Sequence, residues 1–183
     1  AGRPARIIAK MNALVDPDVI QALYAASQAG VEITLLIRGI CCLRPGVPGT
    51  SDRIRVLAVV DRFLEHGRIV FFANGGTEEV YLSSADWMPR NFHRRIELFV
   101  ALDDQAIKQR VIHEILGIAM SDNTKAWQLR ADGRYARVEP TDPPIRSQMK
   151  FAELAKERVR EADAKPRLPT RFHPIGPELS SGL

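Results

Sequence analysis

Residues 6–37 constrain the fold most: an apolar run, a helix signposted at both ends, and a second apolar run. RIIAKMN (6–12) has the length and composition of a short strand. Asp16 and Pro17 then mark a helix start, because an Asp side chain caps free amides and proline is tolerated at the first helical position. VIQALYAASQAG keeps Ile20, Leu23, Tyr24 and Ala26 apolar, and Gly30 ends the helix. VEITLLI (31–37) reads as a mostly buried strand. A strand, helix and strand joined this tightly favour a right-handed parallel pair. The expected class is α/β, with ligands held by loops leaving the carboxyl ends of the strands.

The next loop, RGICCLRPGVPGTSD, is rich in Gly and Pro, and Arg38 is the first residue out of the strand. A helix is predicted over 52–65, with Ser51 or Asp52 as its cap and Ile54, Leu57, Val60, Phe63 and Leu64 on one side. On it Arg53, Arg55 and Arg62 would pair with Asp52, Asp61 and Glu65. Residues 68–73 and 79–84 flank Asn74-Gly75-Gly76, which accept positive φ, so they form a hairpin. Residues 96–102 read as another buried strand. A helix over 104–120 presents Ile107, Val111, Ile115 and Ala119 to the core and leaves His113 on the surface. Residues 125–138 alternate around Asp132-Gly133, a second hairpin, and 147–163 form a charged helix. PRLPTRFHPIGPELSSGL (166–183), with His173, reads as an extended tail docked on a partner.

At 183 residues the chain suits one domain with a tail. No apolar run approaches the roughly 18 residues that span a bilayer. The start, AGRPARIIAKMN, enters a strand pattern almost at once, as expected of a piece of a longer polypeptide. Cys41 and Cys42 are adjacent, which suits neither a disulfide nor a zinc site. They are expected to be buried thiols in a reducing cytoplasm. Net charge is +4, but residues 38–95 hold nine basic residues, all arginine, against six acids. Arginine offers a planar fork matched to phosphate oxygens. Arg38, Arg68, Arg90, Arg94 and Arg95 fall at strand ends or in loops, where helix salt bridges do not account for them.

The predicted hairpin carries the chemistry. It brings His66 and Arg68, at the start of one strand, beside Ser83, Ser84 and Asp86 at the end of the other. Arg62, Arg90, Arg94 and Arg95 lie close in sequence. A histidine ringed by arginines and hydroxyls can hold phosphate, accept a phosphoryl group or donate a proton to a leaving oxygen. Blander roles stand beside that one. His66 also suits a helix C-cap, Arg38 a loop surface, and Arg95 a salt bridge to Glu97 or Asp86. Asp86 would orient His66 or an arginine rather than bind metal, and Trp87 would enter the core. The chain has neither a GxxxxGK[ST] phosphate loop nor a protein-kinase signature.

EHGR, a strand, a turn and SSADWMPRN resemble the His-x-Lys…Gly-Ser-x-x-Asn pattern of phospholipase D-like domains. Arg68 stands for the usual Lys, Ala73 for Asp and Ser83 for Gly, with Asp86 near the expected Asn. The strings KMNALVD, LLIRGICCLRPG, SDRIRVLAVVDRFLEH, FFANGG, YLSSADWMPRN, RRIEL and SDNTKAW resemble, in order and spacing, the C-terminal domain of the bacterial polyphosphate kinase family. The likeness runs from about residue 3 to 138, leaving 139–183 as a C-terminal helix and tail.

This resemblance implies an α/β phospholipase D-like fold, a mixed sheet flanked by helices, and a reversible transfer of the terminal phosphate of ATP to polyphosphate, with Mg²⁺. It places the phosphorylated histidine in a His-Ser-Lys stretch of a neighbouring domain; this chain contains none. It matches Arg38, His66 and Arg95 to nucleotide-phosphate contacts, with His66 as the catalytic histidine facing the phosphohistidine. Arg68, Arg90 and Arg94 become candidates for polyphosphate contacts. Ligands for Mg²⁺ and the residue stacking on adenine would lie outside the chain. The implied partners are ATP or ADP, polyphosphate, the remaining domains of the same polypeptide and further copies of it. The implied setting is the cytoplasm, with membrane association open to the intact enzyme. On this view the isolated chain is inactive. Two other readings remain: a dimeric phospholipase D-like hydrolase using His66 from each chain, and a non-catalytic module that binds polyanions.

Overall fold

A computed structural model describes residues 5–164. The predicted tail 166–183, with His173, lies outside them. The chain divides into two compact units, Ala1–Phe151 and Ala152–Leu183.

The first unit is built on one mixed sheet of eight strands, in the order β6-β5-β4-β1-β2-β3-β7-β8. The strands are β1 (Arg6–Met11), β2 (Glu32–Ile37), β3 (Ile54–Val59), β4 (Ile69–Phe72), β5 (Glu79–Ser83), β6 (Phe99–Ala101), β7 (Ala126–Leu129) and β8 (Tyr135–Arg137). β1, β2 and β3 run parallel at the centre. β4, β5 and β6 extend one flank in antiparallel sense, and β7 and β8 the other.

Helix α1 (Pro17–Gln28) makes the crossover from β1 to β2. Asp16 caps it, its Oδ1 accepting the amides of Asp18 and Val19 at 3.1 and 3.2 Å, with proline in the first turn as the sequence predicts. Beyond α1, Gly30 takes a φ of +95°, a conformation costly to residues with a Cβ. Ile20 and Leu23 of α1 pack on Met11, Leu35, Ile37 and Val56. The alternate residues Ile8, Leu36 and Leu57 face the opposite way, onto Val111, Ile112, Leu116 and Ala119. The central strands are thus buried on both faces, with the period of two that pleating imposes.

That double burial explains the main difference from expectation. Residues 52–65 form no helix. β3 occupies Ile54–Val59, and residues 60–68 have no regular structure. A strand covered on both sides is apolar throughout, so periodicity alone does not separate it from a buried helix. Among the described residues the expected helix salt bridges are absent too: Arg53 pairs with Glu32, and Asp61 with Arg146.

Both predicted hairpins form. Asn74, Gly75 and Gly76 have φ of 40°, 64° and 106°, and Gly133, between β7 and β8, has 84°. The strand expected over 96–102 shrinks to β6 and is exposed rather than buried, because it lies at the sheet edge. The helix over 104–120 runs as α3 (Gln105–Arg110), a π-helical stretch (Val111–Leu116) and α4 (Gly117–Met120). The wider π turn rotates the buried face. Ile112 and Leu116 therefore join the core while Ile107 is half exposed. His113 is exposed, as expected. Cys42 is exposed rather than buried, and Cys41 is partly buried. Burial pushes the Cys41 thiol up to about 11. Helix α5 (Ser147–Asp163) begins in the first unit. No helix among the described residues is long and apolar enough to cross a membrane.

Three of the distinctive strings meet in one seam beyond β1. Leu14 bridges to both Cys41 and Trp87. Its amide donates to the Ile40 carbonyl at 2.9 Å, and the Trp87 carbonyl accepts the amides of Val15 and Asp16 at 2.8 and 3.0 Å. Trp87 packs partly buried against the α1-side core.

Candidate functional site

The carboxyl end of β1, Arg68 at the end of the segment 60–68 and the chain leaving β5 converge on one carboxylate. Asp86 is only 6% exposed. Its Oδ1 accepts the amide of Asn12 at 2.7 Å and Nε of Arg68 at 3.0 Å. Its Oδ2 accepts Nη2 of Arg68 at 3.1 Å and Nδ2 of Asn12 at 3.3 Å. Burial pushes the Asp86 carboxyl up, but the bonds from Arg68 and Asn12 together outweigh it and hold the group below the usual carboxylate range. Asp86 therefore orients an arginine, one of its two expected roles.

Asn12 passes the arrangement on. Nε of Arg38 is shared between Oδ1 of Asn12 and the carbonyl of Glu65, at 2.7 Å each. The two terminal nitrogens of Arg38 make no hydrogen bond among the described residues, so the ends of its fork are open. Gly39 closes the corner. A Cβ there would lie 2.8 Å from the Asn12 carbonyl, so only glycine fits.

His66 follows Glu65 on the irregular segment and is exposed. No helix precedes it, so the C-cap alternative falls. Its carbonyl accepts Nη1 of Arg68 at 3.2 Å, while its ring has no hydrogen-bond partner among the described residues. His66 borders a cleft of about 330 Å³ whose walls include Lys10, Phe63, Glu65, Ile69 and Gln148. Lys10 pairs with Glu65 at 2.8 Å, both side chains being largely buried.

The remaining candidates divide. Arg68 has all three nitrogens engaged, on Asp86 and the His66 carbonyl. The hydroxyls of Ser83 and Ser84 serve the local backbone, accepting the amides of Ala85 and Leu98 at 3.0 and 2.9 Å, and Ser84 also donates to Glu97. They do not ring the histidine. Helix α2 (Pro89–Arg94) carries Arg90 and Arg94, with Arg95 just beyond it, all exposed. Arg95 forms no ion pair with Glu97 or Asp86 among the described residues, and is open. Glu97 is held below the usual carboxylate range by Ser84 first, then Asn91, with the charges of Arg95 and Arg68 adding to the effect.

Lys10, Asn12, Glu65 and Gln148 belong to the site and were not singled out from the sequence. For Asn12 a signal existed. In the parallel register Lys10 lies beside Leu36 and Met11 beside Ile37, so Asn12 must emerge next to Arg38. Gln148 has no such signal. No group of three His, Cys, Asp or Glu side chains among the described residues could hold a metal ion. The Asp86 carboxylate is filled by Arg68 and Asn12, so these residues do not fit Mg²⁺.

Comparison with known proteins decides the family. A family profile described as Polyphosphate kinase C-terminal domain 2 matches residues 1–148. The chain belongs to this family. A polyphosphate kinase from Synechocystis sp. is 50% identical over 167 residues, covering 91% of this chain and 23% of the relative. One from Thermosynechococcus vestitus is 58% identical over 139 residues, covering 76% of this chain and 19% of the relative. The chain thus spans about a fifth of the length of these curated relatives. The crystal structure of polyphosphate kinase from Porphyromonas gingivalis superposes with a TM-score of 0.82 at 43% identity, over 87% of this chain and 24% of that one. Membership in the polyphosphate kinase family and the mixed, helix-flanked sheet both agree with the reading of the sequence.

Proposed function

We propose that this chain supplies the nucleotide-phosphate and polyphosphate contacts of an ATP:polyphosphate phosphotransferase, whose phosphohistidine is carried by another domain of the same polypeptide. The observation that carries the reading is the state of Arg38 beside His66. Nε of Arg38 is anchored twice while its terminal nitrogens are open. His66 borders the neighbouring cleft, and its ring has no hydrogen-bond partner among the described residues.

Phosphoryl transfer spreads negative charge over several oxygens, so the protein acts mainly by positioning and by electrostatic stabilisation. Arg38 and Arg95 would each bring two donors to phosphate oxygens. His66, within reach of the same group, would donate a proton to a leaving oxygen or stabilise its charge as imidazolium. Arg68 would contribute indirectly, holding Asp86 and the His66 carbonyl, and Arg90 and Arg94 would meet the polyphosphate chain. Mg²⁺, where used, would be held by residues outside this chain.

His66→Ala tests the proposal in the polypeptide that joins this chain to its remaining domains. The expected result is a fall in ATP-dependent polyphosphate synthesis of about a hundredfold or more, the scale for losing a positioned acid or base. Near-normal synthesis would remove His66 from the mechanism. A phospholipase D-like hydrolase is less well supported, because the residue in the Lys position, Arg68, is fully engaged on Asp86 and His66. Salt-dependent polyphosphate binding that ignores His66→Ala, with no transfer by the whole polypeptide, would favour a simple polyanion-binding module.

A further inference from the structure

We propose that Gln148 is a positioning residue for this site, fixing the segment that carries His66 and anchors Arg38. The inference rests on the function proposed above. Residues 60–68 have no secondary structure to hold them, yet they bear the one histidine of the site. Gln148, far away in sequence and 4% exposed, grips the segment from the start of α5. Its Oε1 accepts the Phe63 amide at 2.7 Å, and its Nε2 donates to the Phe63 carbonyl at 2.8 Å and to Oε1 of Glu65 at 2.9 Å. One side-chain amide thus spends its acceptor and both donors on two residues of an otherwise irregular strand of chain.

Glu65 transmits the grip. Its second carboxylate oxygen takes Lys10, and its carbonyl takes Nε of Arg38. His66 is the next residue. The order of contacts runs from Gln148 to Phe63 and Glu65, then to Arg38 on one side and His66 on the other.

Gln148 is itself held in place. Ser147 donates both its amide and its hydroxyl to Oδ2 of Asp122, at 2.8 and 2.7 Å. Oδ1 of Asp122 accepts the amides of Thr124, Lys125 and Ala126. Arg146 clasps Asp61 through two bonds of 2.7 Å, tying the near end of the same segment. SDNTKAW, which carries no group suited to phosphoryl chemistry near His66, acquires a role here: its Asp122 builds the platform for Gln148.

The test uses the polypeptide in which His66→Ala is measured. Gln148→Ala should lower the turnover number about tenfold and raise nucleotide KM by a smaller factor, because the same segment carries His66, the misplaced catalytic group, and anchors Arg38. The Phe63 amide should exchange its hydrogen faster. Leu23→Ala, which weakens the core on the α1 side, is the control for lost stability. It should leave turnover and Phe63 exchange unchanged at a temperature where the variant is folded. Equal loss of turnover in both would reduce Gln148 to a structural residue and overturn the inference. Should Gln148→Ala fail to fold, Gln148→Glu keeps the shape but sets a carboxylate against Glu65. Adding Glu65→Gln restores the donor–acceptor pair with residue 65 but not the bond to the Phe63 carbonyl, so the double variant should recover part of the turnover lost by the single one; no recovery overturns the inference. If His66→Ala abolishes activity while Gln148→Ala retains it, only this inference fails. If His66→Ala is active, the proposed function fails and this inference with it.

Discussion

Arg68 and Arg94 carry the same guanidinium and are used in opposite ways. Arg68, at the entry to β4, has every nitrogen bonded to the protein and a carboxylate partner that is itself buried. Arg94, at the end of α2, is exposed and has no hydrogen-bond or ion-pair partner among the described residues. The first is scaffold and the second is free to meet a ligand. Arg38 lies between them, with Nε spent on the protein and its terminal nitrogens open. An arginine anchored in this way loses less freedom on binding phosphate, because its position is set beforehand. The count of arginines between residues 38 and 95 therefore overstates the number available to a phosphate chain.

The comparison is most exposed to failure at Asp86. Asp86→Ala would strand the Arg68 guanidinium and the Asn12 amide together, so the expected loss is about 3–5 kcal/mol, the scale for breaking a buried pair. The midpoint of urea unfolding measures it. A loss under about 0.5 kcal/mol, the scale of a surface substitution, would mean that Arg68 is no more a scaffold than Arg94. Gly39→Ala comes next. Its Cβ would push on the Asn12 carbonyl, at about 1–3 kcal/mol for forcing extra volume against a fixed backbone atom. Because Asn12 holds both Asp86 and Arg38, nucleotide binding by the intact polypeptide should weaken as well, which titration calorimetry would detect. An unchanged affinity would separate Arg38 from the scaffold.

The same division shows what could be read from the sequence. The strand–helix–strand of residues 6–37 and both hairpins were legible because their signals are local: a cap, a proline, a positive-φ turn. Those signals also located Arg38 at a strand's carboxyl end and set Arg68 near Asp86. β3 was misread as a helix because a strand buried on both faces loses its alternation, and Val60, Phe63 and Leu64 prolonged the apolar pattern past its end. They are in fact exposed. Which arginines are spent was not legible at all. Saturation depends on partners such as Asn12, Glu65 and Gln148, which only the assembled sheet brings together. His66 was found by its neighbours in sequence, but its state, an exposed ring beside a cleft, follows from the missing helix.

Acid offers a milder probe of the scaffold. The hydrogen bond from Arg146 is the main cause that holds the buried Asp61 carboxyl below its usual range, and Asp86 is depressed as well. A carboxyl whose folded pKa lies below its unfolded value adds stability that is present above the unfolded value, about 3.9 for Asp. That stability is lost as pH falls through the folded value. Unfolding free energy should therefore be flat near neutrality and fall from about pH 4 downward. In Asp61→Asn the acid slope should become shallower, and a slope identical to that of the parent would show that the Arg146 clasp adds nothing. Replacing Arg94, which holds no carboxylate, should leave the acid limb untouched.

The open arginines give the smallest effect on stability and the sharpest one on binding. Arg90→Gln and Arg94→Gln should each change unfolding free energy by less than about 0.5 kcal/mol, since neither side chain holds another group of the protein. In polyphosphate binding they should behave as separate phosphate contacts. Each contact that neutralises a phosphate of a dense polyanion releases condensed cations, so losing one should lower the dependence of log affinity on log salt by somewhat under one unit. Arg68→Gln should do the reverse. It should cost stability, through the unpaired Asp86, and leave the salt slope nearly as it was. Measuring affinity at several salt concentrations for the three variants distinguishes the two kinds of arginine without any assay of catalysis. If Arg68→Gln flattened the slope as much as Arg94→Gln, then Arg68 would have to leave Asp86 to meet the ligand, and the boundary between scaffold and site would run through the salt bridge itself.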